Sequence, residues 1–153
     1  MTSLEVKIPP PIVAVVVAIA MWGISSVAPR LQMPANLRLA ACIALVAIGL
    51  LFSAAGVLSF RRARTTINPT TPEATSSLVT SGIYRVTRNP MYVGLSFALV
   101  AWAVFLTSPP ALLGPLVFVL YIGRFQIVPE ERALAKLFGS EYAAYQARAR
   151  RWL

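Results

Sequence analysis

Two short polar segments hold the residues whose types and spacing could do chemistry. In the first, Tyr84, Arg85, Arg88, Asn89 and Tyr92 stand immediately before a long apolar run. Pro90 lacks an N–H and suits the first turn of a helix, which puts Asn89 at or beside the N-cap. A helix starting there turns free backbone N–H groups and a positive dipole end toward two arginines, and that arrangement binds a carboxylate or another anion. The same residues also suit a capped helix start anchored at a membrane interface by Tyr and Arg. Local physics leaves both readings open.

In the second segment Arg124 precedes Glu130 and Glu131, and three of the chain's five acidic residues lie between 130 and 141. Adjacent helical positions point about 100° apart, so the two carboxylates cannot face one ligand atom. One is expected to bind while the other reaches solvent or an arginine. Leu134, Leu137 and Phe138 have the spacing of an apolar stripe on a short helix that Gly139 can end. Ser140 can then cap a second short helix carrying Tyr142 and Tyr145, both helices lying along the membrane surface.

Much chemistry is excluded. The chain has no His and no Asp, so metal sites built on His and Cys and triads using a His base are ruled out, and no metal is expected. Cys42, the single cysteine, falls inside an apolar run and reads as a small buried residue. Neither a dinucleotide-binding glycine fingerprint nor a Gly-Lys-Ser/Thr phosphate loop is present. The net charge of +9 has no nucleic-acid-binding motif beside it, and attraction to anionic headgroups explains it more simply.

The elements that must position these segments are membrane helices. Of the 153 residues 58% are hydrophobic and 12% charged, about half the usual charged share. Four apolar runs, 12–28, 39–60, 91–107 and 111–128, approach the roughly 20 residues needed to cross a bilayer. Ser108, Pro109 and Pro110 make a tight turn between the last two, and 65–77, with two prolines, is a loop. The first run is too long for a typical signal core and its flank too weakly charged, so it reads as a retained helix. With the N-terminus inside, twelve of the fourteen basic residues fall on the cytoplasmic side, leaving Arg30 and Arg38 outside. The expectation is an all-α, multi-pass integral membrane protein of one domain, 1–153. It has four transmembrane helices, a cytoplasmic loop 61–90, an interfacial segment 129–153 and both termini in the cytoplasm; in a bacterium it would sit in the inner membrane.

Taken together, Leu78-Val-Thr-Ser-Gly-Ile-Tyr84, Arg88-Asn-Pro-Met-Tyr-Val-Gly94, Glu130-Glu131, Phe138-Gly139, Glu141-Tyr142, Tyr145 and Arg151-Trp152 resemble the isoprenylcysteine carboxyl methyltransferase and phospholipid methyltransferase family. These are small membrane enzymes that use S-adenosylmethionine and release S-adenosylhomocysteine. The resemblance implies cofactor binding by Ser77, Leu78, Val79, Tyr84, Arg88, Asn89, Pro90, Met91 and Tyr92, together with Glu130 or Glu131. Glu can accept hydrogen bonds from ribose hydroxyls or pair with the cofactor's amino group, Arg88 suits its carboxylate, and Tyr84 and Tyr92 suit the adenine or the sulfonium. Arg124 is the nearest counterpart of the family's acceptor-contacting arginine, and a structural arginine at a helix end fits it equally. Asn89 stands where the isoprenylcysteine enzymes typically carry His.

The resemblance implies methyl transfer to a lipophilic small molecule or lipid at the cytoplasmic interface. An isoprenylcysteine-type carboxylate is the first acceptor to consider, and a phospholipid amine is the alternative. A carboxylate needs no base and would be helped by Arg124, whereas an amine must lose a proton, to Glu130, Glu131 or water. A non-enzymatic membrane subunit keeping the same fold is the rival of another class. A transporter is disfavoured because no charged residue sits near the middle of a run. Such a thin bundle, among membrane lipids, could stand alone or dimerise.

Overall fold

The computed structural model describes residues 7–63 and 77–153, so most of the loop expected at 61–90, including Arg64 and Glu73, lies outside the described residues. The chain folds as α1 (Pro10–Val27), α2 (Ala35–Ala63), α3 (Pro90–Leu106), α4 (Leu113–Ile122) and α5 (Val128–Gln146). Short 3₁₀ turns cover Gly82–Arg85 and Pro109–Leu112. Among the described residues extended pairing is limited to a parallel bridge between Thr87 and Arg150.

Three helical stretches, Pro10–Val27, Ala35–Ala63 and the joined run Pro109–Gln146, are long and apolar enough to cross a membrane. This is an integral membrane protein. α3, with 17 residues, is the shorter apolar helix. Large aliphatic side chains stay exposed along the outer faces, Val15, Ile19, Leu50, Leu51, Leu116 and Leu120 among them. Such surfaces are stable where the surrounding solvent is hydrocarbon.

The helix starts follow the prolines. Pro10 and Pro90 occupy first-turn positions where their missing N–H costs nothing. α2 runs past the expected 39–60 at both ends. Its flanking arginines carry their charges outward on long stems, and Arg38 lies 5.5 Å over the Phe105 ring. Thr107, left-handed at φ 51°, ends α3. The Leu31 N–H closes on its carbonyl at 2.7 Å, tying the link between α1 and α2 to the same end of the bundle.

The first of the short helices expected beyond 128 is not separate but continues the fourth apolar run. α4 passes through a π-turn at Gly123–Ile127 directly into α5. Pro129 should break a helix here, since its ring crowds the carbonyl four residues earlier and it donates no hydrogen bond. The widened π-turn lies where that conflict would fall and absorbs it. Gly139, at φ 50° and ψ −120°, leaves the helical conformation, so α5 consists of two helical stretches that meet at a kink where the first was expected to end.

α3 is the central element, burying Tyr92, Val93, Leu99, Ala101, Ala103 and Leu106 against its neighbours. α1 is fastened to it by the Trp102 indole N–H, which donates to the Ala18 carbonyl at 3.0 Å. α2 buries only Gly49 and Gly56, and these meet Gly94, Pro90 and Met91 of α3. Small residues let the two backbones approach closely, the usual basis of helix association in lipid. A methyl at Gly94 would collide with the Ser53 hydroxyl and stand 2.6 Å from the Gly49 carbonyl oxygen. Gly94→Ala is therefore expected to cost about 3 kcal/mol, the upper end of overpacking penalties. Gly23→Ala, where a methyl meets nothing within 4 Å, should cause no loss. Thermal unfolding in detergent micelles checks both.

Candidate functional site

The two polar segments come together where α3 begins and the fourth run turns into α5. Tyr92, one turn into α3 and buried, donates its hydroxyl to Glu130 Oε1 at 2.6 Å. Gln126, buried on the π-turn, donates its side-chain amide to the same oxygen at 2.6 Å. Desolvation pushes the Glu130 carboxyl up to about 7. The hydrogen bonds from Gln126 and Tyr92 oppose this, and the neighbouring charge of Glu131 adds to it. Glu130 lies beyond the apolar residues 111–128, on the far side of the π-turn.

The paired carboxylates diverge as their adjacent positions require. Glu131 accepts from Arg88 Nη2 at 2.8 Å and from Arg151 at 3.0 and 2.6 Å. Arg88 also donates through Nη1 to the carbonyls of Ala149 at 2.6 Å and Gln146 at 3.2 Å. Its backbone N–H reaches the Arg150 carbonyl at 2.8 Å, and the Asn89 side-chain amide donates to the Arg151 carbonyl at 2.8 Å. Residues 87–89 and Glu131 thus latch the segment 147–153 across the mouth of the bundle.

This latch changes the work done by several expected site residues. Asn89 stands at the N-cap but makes no side-chain cap, its amide holding Arg151 instead. The N–H groups of Tyr92 and Val93 turn back to the Asn89 carbonyl and that of Asn89 goes to Thr87 Oγ1, so the helix start offers few free donors. Arg88 is largely committed to protein partners, yet its Nε is buried with no acceptor among the described residues. Arg124 is exposed with its guanidinium 5.7 Å over the Phe125 ring. Two residues along a π-turn lie nearly opposite, so the side facing Glu130 carries the neutral amide of Gln126.

Leu78, Val79 and Tyr84 join a second, aromatic core with Tyr142, Tyr145 and Ala149 beneath α5. Ser77 donates to the Ala63 carbonyl at 3.4 Å, at the end of α2. Tyr84 packs edge-on against Phe60, and its carbonyl accepts from the Tyr145 hydroxyl at 2.8 Å. Burial pushes the Tyr142 hydroxyl up to about 12, helped by the charge of Glu131, so these phenols stay protonated donors. Pro90 and Met91 pack on Gly56 and set the angle at which α3 leaves the site.

Along α3 from this cluster runs an apolar groove of about 270 Å³, lined by Val93, Ser96, Phe97, Val100, Val119, Trp152 and Leu153. Ser96, its one hydroxyl-bearing residue, is satisfied by donating to the Tyr92 carbonyl at 2.9 Å.

Gln126, Thr87 and the latching role of Arg151 are not legible in the motifs. A signal for Gln126 was present: an amide inside an apolar run, four residues before Glu130 and so on the same helical face. Gln126→Ala removes a hydrogen bond to the ionised carboxylate and should raise the Glu130 midpoint further. Any activity governed by that group should shift its pH profile upward, by about one pH unit for a charged-acceptor hydrogen bond of about 1.5 kcal/mol. A pH–rate comparison of the variant with the parent protein checks it.

Helices long and apolar enough to cross a membrane, with a carboxyl, a phenol and an amide joined where α3 begins, define a membrane protein with a polar cluster at one end of its bundle. The sequence profile of the phospholipid methyltransferase family matches residues 37–141, more than half of the chain, and includes Arg88 to Gly94 and Glu130-Glu131. The chain belongs to this family, which spans isoprenylcysteine and phospholipid methyltransferases. An uncharacterized protein of Haemophilus influenzae is 44% identical over 63 residues, 41% of this chain and the whole of that protein.

Proposed function

We propose that this protein transfers a methyl group from S-adenosylmethionine to a lipophilic acceptor at the cytoplasmic face of the membrane. The observation that carries the reading is Glu130, held between Tyr92 and Gln126 inside the region that the family profile matches. Four spans with both termini in the cytoplasm put this cluster and the basic residues around it on one side, as the positive-inside bias requires.

The residues present fit the cofactor. Arg88 Nε is a buried donor whose missing acceptor the cofactor's carboxylate would supply, and Tyr92 offers an aromatic ring to a cationic centre. When bound, S-adenosylmethionine supplies an electrophilic methyl group whose bond to sulfur breaks as the acceptor's bond forms, leaving S-adenosylhomocysteine. The chain itself supplies position and dryness, since the groove and the latched 147–153 segment exclude water from the acceptor.

Of the two acceptor classes, the geometry favours an amine over an isoprenylcysteine-type carboxylate. The groups converging at the start of α3 are a carboxyl, a phenol and an amide, while Arg124 lies over Phe125. Glu130, raised to about 7, is suited to take the proton that an alkylammonium group must lose before it can attack. Glu131, bound by two guanidinium groups, remains a brace.

Calorimetry with S-adenosylhomocysteine on the purified protein, followed by transfer of labelled methyl to phosphatidylethanolamine or to a prenylcysteine, tests this reading. Binding, with label entering the amine lipid, is expected. Absence of binding by folded protein defeats the methyltransferase reading, and label entering only the prenylcysteine reverses the choice of acceptor.

A further inference from the structure

We infer that the groove beside α3 seats one acyl chain of the acceptor lipid, and that Trp152, held in place by the Arg151 latch, selects the chain it admits. The inference rests on the methyltransferase reading for the word acceptor and on geometry for the rest. Val93, Ser96, Phe97 and Val100 form one stripe of α3, with Val119 of α4 opposite and Trp152 as a side wall. The stripe runs over seven residue steps, about 10 Å of helix rise.

The surroundings fix the occupant. Leu116 and Leu120 on the adjoining surface of α4 are more than half exposed on a helix that crosses the bilayer. Water in a groove with no free polar group finds no hydrogen-bond partners, so a hydrocarbon chain fills it. A polar cluster lies one helical turn from the groove. Ser96 in the lining donates to the carbonyl of Tyr92, one turn earlier on α3, and the Tyr92 hydroxyl holds Glu130, so a chain lying along α3 can direct its headgroup toward the carboxyl.

Trp152 is the adjustable wall. It packs partly buried against the core that contains Tyr92, Phe118 and Ile122. Its place is set by Arg151, whose carbonyl accepts from Asn89 and whose guanidinium binds Glu131. Shortening the side chain enlarges the groove without touching the groups that meet the headgroup.

The test uses the full chain in nanodiscs containing phosphatidylethanolamine with a photoactivatable diazirine on one acyl chain, the adducts being mapped by mass spectrometry. Adducts concentrated on peptides carrying Phe97, Val119 and Trp152 support the proposal; adducts spread equally over Val15 and Leu50 overturn it. In parallel, kcat/KM is measured for lipids of increasing chain bulk. Trp152→Ala should shift the preference toward bulkier chains by about tenfold, the scale of discrimination by a few methylenes in an apolar pocket, with Trp152→Phe between. An unchanged preference in both variants overturns the selecting role. Concentrated adducts with no methyl transfer to any lipid defeat the methyltransferase reading and keep the groove as a chain site, so the two failures are separable.

Discussion

Glu130→Gln in the full chain is expected to lower the rate of methyl transfer to an amine lipid by about 10²- to 10⁴-fold, the usual worth of a positioned general base. The amide oxygen can still accept from Tyr92 and Gln126, so the fold should survive, but the proton acceptor is gone. In the parent protein the rate should rise with pH through about 7 as the carboxyl ionises, and the variant should lack that rise. Stability should move the other way. A carboxyl raised from 4.5 to about 7 holds its proton more tightly when folded than when unfolded. Its contribution is therefore fully present below 4.5 and lost as pH climbs through 7. Above neutrality the fold carries an ionised, poorly solvated carboxylate that the amide does not have. Glu130→Gln should melt higher than the parent at pH 8 and close to it at pH 4. Methyl-transfer assays and thermal unfolding at the two pH values decide it. Equal rates in the two proteins would remove Glu130 from the chemistry.

Arg88→Ala should be the most damaging substitution for the fold around the site. The Arg88 and Glu131 side chains are 12% and 13% exposed, and removing one member of a mostly buried pair typically costs about 3–5 kcal/mol. Arg151 still neutralises Glu131, so the lower end of that range applies. The carbonyls of Gln146 and Ala149 lose their donor in the same step. Arg88→Lys keeps the charge but not the planar fork that reaches a carboxylate and two carbonyls, and should fall between. Arg151→Ala, at an exposed position, should cost less. Thermal unfolding, with the rate of proteolysis within 147–153, measures the order. A ranking with Arg151→Ala as the worst would contradict the latch.

The helices were legible because lipid demands a uniform signal. Long apolar runs bounded by Pro9, Pro29 and Pro90 read directly as α1 and α3, and the Ser108-Pro109-Pro110 turn separates α3 from α4. The unbroken passage into α5 was not legible, since Pro129 reads as a stop and only the π-turn before it makes a continuation possible. The divergence of Glu130 and Glu131 followed from helix geometry alone. Their individual partners did not, because Tyr92 and Arg88 lie 38 and 43 residues away from them in a segment without apolar periodicity. Arg88 reads in the sequence as a ligand for an external anion; in the fold its Nη1 serves two of the chain's own carbonyls and its Nη2 serves Glu131, while Nε keeps a donor without an acceptor among the described residues. Arg124, which sequence distance puts near the glutamates, lies over the Phe125 ring.

The latch has a consequence for how the protein is made. A chain entering the membrane from its N-terminus delivers α3 with Arg88 and Asn89 at its mouth well before Ala149 and Arg151 exist, and synthesis proceeds at about 5–20 residues per second. During those seconds the arginine has neither its carbonyls nor Glu131, while α1, α2 and α3 can already pack through Trp102, Gly49 and Gly94. The bundle is thus assembled before the site. Residues 147–153, translated after all five helices, close it, and a ribosome that stops short of Ala149 leaves a membrane protein with its helices in place and its polar end unfastened.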